Sequence, residues 1–126
     1  MTLTEKIQYL IGDGGREYTP IKRPKGFRKR SDKFCFWNAA MRMIEDESER
    51  AQYVEGFASV HGFTVHHAWI TLDGVHAIET TWKEPGTFYF GIKFDRKIIA
   101  HAVLDKSATV SQINPAVPMI VGEDEL

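Results

Sequence analysis

The hydrophobic pattern changes period along this chain, and the changes divide it into elements. Leu3, Ile7, Leu10 and Ile11 recur at helical spacing, which predicts a short helix over 3–11 stopped by Gly12-Asp13-Gly14-Gly15. No Gly-Lys-Ser/Thr follows those glycines and no strand precedes them, so they read as a turn and not as a phosphate loop. Residues 16–30 hold Pro20, Pro24, Gly26 and a run of cations, and should be extended or irregular. Ser31 or Asp32 is placed to cap a helix from about Lys33 to Asp46, whose stripe Phe34, Trp37, Met41, Ile44 reads as core packing. From Ala51 the period shortens to two. Tyr53 to Val60 suits a strand, with Gly56 marking a bulge or a close approach and a helix over 47–53 competing at its start. A hairpin over 64–82, a strand over 87–94 and a helix from Arg96 to about Asp105 follow. Val117, Met119, Ile120 and Val121 in the tail either pack on the body or take a partner.

The fold class expected is therefore α+β: about four mostly antiparallel strands packed against a helix that begins near Cys35. At 126 residues one domain is expected, divided into an N-terminal helix and basic loop (1–33), a core (34–105) and a tail (106–126).

The hairpin carries the functional argument. Asp73-Gly74 between alternating runs is a strong turn signal. A two-residue loop pairs Leu72 with Val75. A three-residue loop with Gly74 left-handed pairs Thr71 with Val75, and is preferred. It sets Trp69 opposite Ala77 and His67 opposite Glu79, close enough for imidazole and carboxylate to hydrogen-bond. A one-residue slip would send the two to opposite faces.

Composition narrows the classes. An apolar content of 43% is globular, and no run of apolar residues is long enough for a membrane span, so no membrane partner is expected. Met1 to Lys6 lacks the layout of a secretory signal, the closing Glu-Asp-Glu-Leu reads as a solvated acidic tail, and a single cysteine suits a reducing cytoplasm. Net charge is −1, yet residues 22–33 carry +6 through Lys22, Arg23, Lys25, Arg28, Lys29, Arg30 and Lys33 against Asp32. That run is either a solvated loop or an electrostatic footprint for nucleic acid or an acidic protein partner. Phe27 alone interleaves it, so a base-stacking platform is not supported.

Cys35 stands at a helix start behind these cations, and both features favour thiolate, the nucleophilic form. His67 is placed to act as its base and Glu79 to orient the ring. The Cys35 backbone N–H is one oxyanion donor. Singly, each residue has a plain alternative: a lone cysteine is usually buried and inert, and a His beside a carboxylate is often a satisfied pair. Asn38, one turn after Cys35, lines the cleft or back-bonds within the helix. Glu55 reaches the pocket or stands as a solvent-facing charge. Trp69 and Trp82 pack, and one of them can roof the site. His66 and His76 face away from His67, and His61 and His101 join them only by assumption. No metal and no cofactor is expected.

The order Cys35, His67, Glu79 resembles the papain-like superfamily in its permuted, transglutaminase-like form, where the nucleophile opens a helix packed on an antiparallel sheet and His and acid follow on adjacent strands. Cys35-Phe36-Trp37-Asn38-Ala39, Tyr53-Val54-Glu55-Gly56-Phe57-Ala58, His67-Ala68-Trp69, Ile78-Glu79-Thr80-Thr81-Trp82 and Tyr89-Phe90-Gly91-Ile92 also resemble a group of small phage and bacterial proteins over roughly residues 34–94. The resemblance implies a Cys-His-Glu triad acting on an amide bond of a protein or peptide substrate, in the host cytoplasm if the chain is phage-encoded. A non-catalytic phage or bacterial protein engaging a host protein or nucleic acid through the basic loop is the alternative. Glu79 and Thr80 replace the more usual Asp-Pro, and Lys29 and Arg30 stand where papain-type peptidases place an oxyanion-hole glutamine.

Overall fold

The computed structural model of the chain describes residues 14–31 and 33–107. The helix over 3–11, Asp32 as a cap and the chain from residue 108 onward lie outside them. The elements are β1 (Arg16–Ile21), α1 (Cys35–Glu45), β2 (Gln52–Val60), β3 (Phe63–Thr71), β4 (His76–Ile78), β5 (Phe88–Phe94) and α2 (Arg96–Ser107). The five strands close into a small barrel in the order β1-β4-β3-β2-β5. The class is α+β as expected, but the sheet gains a strand and closes on itself. Among the described residues no helix is long and apolar enough to cross a membrane.

The added strand is β1, in the stretch expected to be extended or irregular. Arg16 to Tyr18 pair antiparallel with β5, and Thr19 to Ile21 pair parallel with β4. This handover explains how Pro20 is tolerated. Thr19 donates its N–H to Val75 O on the β4 side at 2.9 Å. Strand alternation then turns the nitrogen of Pro20 toward β5, where pairing has already ended, so its missing N–H breaks no ladder.

Two corrections concern α1. The helix starts at Cys35 rather than Lys33, and Phe34 is its N-cap, in the left-handed conformation (φ 67°, ψ 51°) with no side-chain cap. Ser31 gives its hydroxyl to Lys33 O instead (2.7 Å). The fully buried apolar residues are Phe36, Ala39, Ala40 and Met43; of the expected stripe, Trp37, Met41 and Ile44 are half-buried and pack against the edge of that core, and Phe34 is exposed. The two alanines let the helix backbone approach the sheet, and the bulky residues flank the contact. No helix forms over 47–53. The Asp46 carboxylate takes the Ser48 hydroxyl (2.7 Å) and the Ala51 N–H (2.7 Å), and this local bonding competes with helix formation.

One hydrophobic cluster draws Tyr18, Val54, Ala58, Trp69, Ala77 and Tyr89 from all five strands, and so fills the barrel. A second joins α1 and α2 to the outer face through Tyr53, Ala68, Ile70 and Ile78, and a third, smaller one pairs Phe57 with Phe90. Strand parity places His67 with Trp69 on the inner side, and Glu55 and His66 with Ala68 on the outer, helix-covered side.

Gly56 and Gly91 pair across β2 and β5 where the barrel is tightest. A Cβ on Gly56 would lie 2.1 Å from Phe90 O, and one on Gly91 2.9 Å from Trp69 Cη2. Gly56 is thus a close approach, one of the two readings its sequence position allowed. The obstructing atom is backbone and cannot swing aside. Gly56→Ala should lower the urea midpoint by the equivalent of about 3 kcal/mol, with the slope of the transition unchanged.

Candidate active site around Cys35, His67 and Glu79

The hairpin between β3 and β4 turns on Asp73. One carboxylate oxygen accepts the N–H groups of Val75 and His76, both at 2.8 Å, and the other bonds the His76 ring. Gly74 is left-handed as expected (φ 76°) and donates its N–H to Thr71 Oγ1 at 3.0 Å. The register differs from both alternatives: Ile70 pairs with Ile78. That is a shift of two from the preferred loop, so the faces are preserved while the direct opposition of His67 and Glu79, and of Trp69 and Ala77, is lost. The two residues meet diagonally. β4 ends at Ile78, and the chain past it folds so that Glu79 points back at His67.

The Glu79 carboxylate is buried and saturated. His67 Nε2 is 3.0 Å from both of its oxygens. The Tyr89 hydroxyl donates to Oε1 at 2.6 Å, and the Thr81 and Trp82 N–H groups donate to Oε2 at 2.9 Å each. Burial would raise this carboxyl, but the bonds from His67, Tyr89 and Trp82 carry it below its ordinary value. Because Glu79 stays ionised, Nε2 keeps its proton and Nδ1 is the basic nitrogen of His67. Trp82 stacks on the imidazole at 3.8 Å with planes 10° apart, and Trp69 lies 6.4 Å away. Trp82 is therefore the roof, and Trp69 packs inside the barrel.

Arg23 holds the loop in place. Its guanidinium donates to the carbonyls of Glu79 (3.2 Å), Trp82 (3.0 Å) and Lys83 (3.0 Å). Tyr89 also accepts the Gly86 N–H at 2.7 Å, so one hydroxyl ties Glu79 to the far end of the same loop. Sequence reasoning offers Arg23 as a partner contact and assigns Tyr89 no role. The inward parity of Tyr89 with Gly91 was the available signal; the Arg23 contacts left none.

Cys35 is the first residue of α1 and is half-buried. The left-handed Phe34 before it costs about 1–2 kcal/mol, strain of the kind that gathers at functional turns. The Ala68 and Phe36 backbone N–H groups donate to the sulfur. Since β3 runs past the end of β4, the sulfur takes the amide of the residue next to His67. The thiolate expected from helix field and cations is not the resting state. Burial, then the Glu79 and Glu55 carboxylates, push the thiol up to about 12 against the two backbone donors. Desolvation and two anions outweigh half a helix charge.

The remaining candidates are distributed as follows. Asn38 is buried but neither lines a cleft nor back-bonds. Its Nδ2 reaches Ser31 O (2.9 Å), Lys33 O (2.8 Å) and Thr81 Oγ1 (2.9 Å), joining the approach to Cys35 to the Glu79 loop. Glu55 is fully buried, not solvent-facing, and bonds the Tyr53 hydroxyl (2.7 Å) and His66 Nε2 (2.9 Å). Within the basic run, Arg23 is the loop clamp and Arg30 pairs with Glu45 at 2.7 Å, while Lys29 donates to Arg30 O. Lys22, Lys25 and Arg28 are exposed. A cleft of about 460 Å³ opens beside Trp82 between Val60, His61, Thr81 and Pro85. Among the described residues no group of three or more His, Cys, Asp and Glu side chains gathers as a metal site.

In comparisons with known proteins, no family model, no curated protein and no solved structure matches the chain.

Two outcomes follow from the ionisation states. Alkylation of folded Cys35 by iodoacetamide should rise only as pH approaches 12, whereas in denaturing urea it should rise near the ordinary thiol value of about 8.5. Glu79, depressed in the folded state, adds stability that is complete above its unfolded value near 4.3 and is lost as pH falls below it. The difference in urea midpoint between the native chain and Glu79→Gln should therefore shrink steadily from pH 5 to pH 3.

Proposed function

We propose that the chain is a thiol-dependent hydrolase or acyltransferase on a papain-like, transglutaminase-like core. Cys35 is the nucleophile, His67 its base and Glu79 the orienting acid. One observation carries the reading: a buried imidazole stacked on Trp82, its Nε2 fixed by an ionised carboxylate, on the residue next to Ala68, whose N–H holds the sulfur of a strained helix start. Two buried carboxylates near the sulfur make the resting residue a thiol, so activation falls to His67, as it does for a serine nucleophile. Nδ1 takes the thiol proton as sulfur attacks the acyl carbon, and returns it to the leaving amine as the C–N bond breaks. The N–H groups at the start of α1 face the developing oxyanion. The substrate is an amide of a protein or peptide, met in the cytoplasm, of a host cell if the chain is phage-encoded. Hydrolysis, deamidation and transamidation share the acyl-enzyme.

The test is stopped-flow release of p-nitrophenolate from p-nitrophenyl acetate, with mass spectrometry locating the acetyl group. The native chain should give a burst with acetyl on Cys35. Cys35→Ala should abolish it, His67→Ala should slow it by about 10²–10⁴, and Glu79→Gln should fall between the native chain and His67→Ala. A full burst from either alanine variant ends the reading.

A second reading, a non-catalytic binding protein on the same scaffold, is favoured by the raised thiol. It would engage a host protein or nucleic acid through the exposed Lys22, Lys25 and Arg28. Its affinity for DNA or an acidic protein should then fall steeply with salt; a flat salt response removes it.

A further inference from the structure

Two adjoining cavities lie beside Trp82. One, of about 460 Å³, has apolar walls in Val60, Trp82 and Pro85. The other, of about 240 Å³, is walled by the cations Lys22, Arg23 and Lys83. Lys83, Glu84 and Pro85 line both, so the two share one wall. The apolar cavity adjoins the candidate centre, because Trp82 lies on the His67 imidazole at 3.8 Å and also lines the cavity. An apolar strip leads away from His67 along β3. His67, Val65 and Phe63 alternate onto one face of the strand, and Phe63 is paired directly with Val60. Phe63 is 71% exposed and Val65 38%, so this strip stands open to solvent beside the cavity wall. In the basic cavity Arg23 is bonded to three loop carbonyls, and the exposed Lys22 and Lys83 are the cations placed to meet a ligand.

We infer that the two cavities form one bipartite peptide site, taking a segment in which a bulky apolar side chain adjoins a carboxylate. The apolar side chain enters between Val60, Trp82 and Pro85, in a space of the size that holds a small ligand. The carboxylate meets Lys22 and Lys83, whose charge complements it and sets which partners are accepted. Glu84 on the shared wall selects for a peptide backbone between the two: a peptide bond offers its carboxylate an N–H, whereas a phosphodiester offers only further negative charge. Binding of such a peptide stands without the acyl-enzyme reading above; its being the substrate rests on that reading.

The experiment measures fluorescence anisotropy of a dye-labelled peptide, Glu-Glu-Phe-Glu-Glu, with the full chain and with Cys35→Ala. Labelled Glu-Glu-Ala-Glu-Glu and Lys-Lys-Phe-Lys-Lys serve as comparisons. The first peptide should bind both chains equally, and about tenfold tighter than either comparison. Lys83→Glu should weaken it about five- to tenfold and Phe63→Ser about fivefold, with urea midpoints close to that of the native chain. Lys97→Glu, the same charge change placed on α2, should stay within about twofold. Equal binding of the alanine or the lysine peptide, or equal loss in Lys83→Glu and Lys97→Glu, overturns the inference. So does displacement of the peptide by oligothymidylate at a lower concentration than by unlabelled peptide, which would give the site to nucleic acid. Because binding is read in Cys35→Ala as well, a missing p-nitrophenolate burst with binding intact removes the acyl-enzyme reading alone. A burst without peptide binding removes the peptide site alone.

Discussion

The structure depends on keeping one anion buried inside a closed barrel. Glu79 is fully buried, and its two oxygens take the His67 ring, the Tyr89 hydroxyl and the N–H groups of Thr81 and Trp82. An uncompensated charge in such a place costs about 3–5 kcal/mol, so each donor must be held where it is. That requirement reaches outward. Tyr89 is fixed by Gly86, the Trp82 loop by three bonds from Arg23, and Thr81 by Asn38 on the helix that carries the sulfur. A single ionised group thereby links barrel, loop, basic segment and helix into one unit.

Electrostatics around the sulfur follow from the same arrangement. The ordinary devices for making a thiolate, a helix start and nearby cations, are present in the sequence. Arg23 is committed to carbonyls and Arg30 to Glu45, and Lys22, Lys25 and Arg28 stand exposed to solvent. What the sulfur meets is burial and two carboxylates. A resting thiol of this kind is a different state from a preformed thiolate–imidazolium ion pair.

Much of this was legible in the chain. Alternation alone gave β2, β3 and β5, and parity gave the shared face of His67 and Glu79 even though the register moved by two, because an even shift preserves faces. What escaped has a common cause. β1 forms by pairing parallel with β4 and antiparallel with β5, both far along the chain, which no local period encodes. The helix face was misread because Ala39 and Ala40, weak hydrophobic signals, win the contact by letting backbones approach, while Trp37 and Met41, strong ones, flank it. Phe34 as an N-cap runs against residue preference, and local rules are most often broken where function or strain intervenes.

The handover within β1 has a consequence for how the molecule opens. Three residues of one strand lean on β5 and the next three on β4, so neither seam can part while the other half of the strand stays docked. The barrel is latched at a single six-residue strand, and amides on both sides of the latch share one opening event. Hydrogen exchange at these two seams is accordingly a cooperative property of the latch rather than two independent frayings.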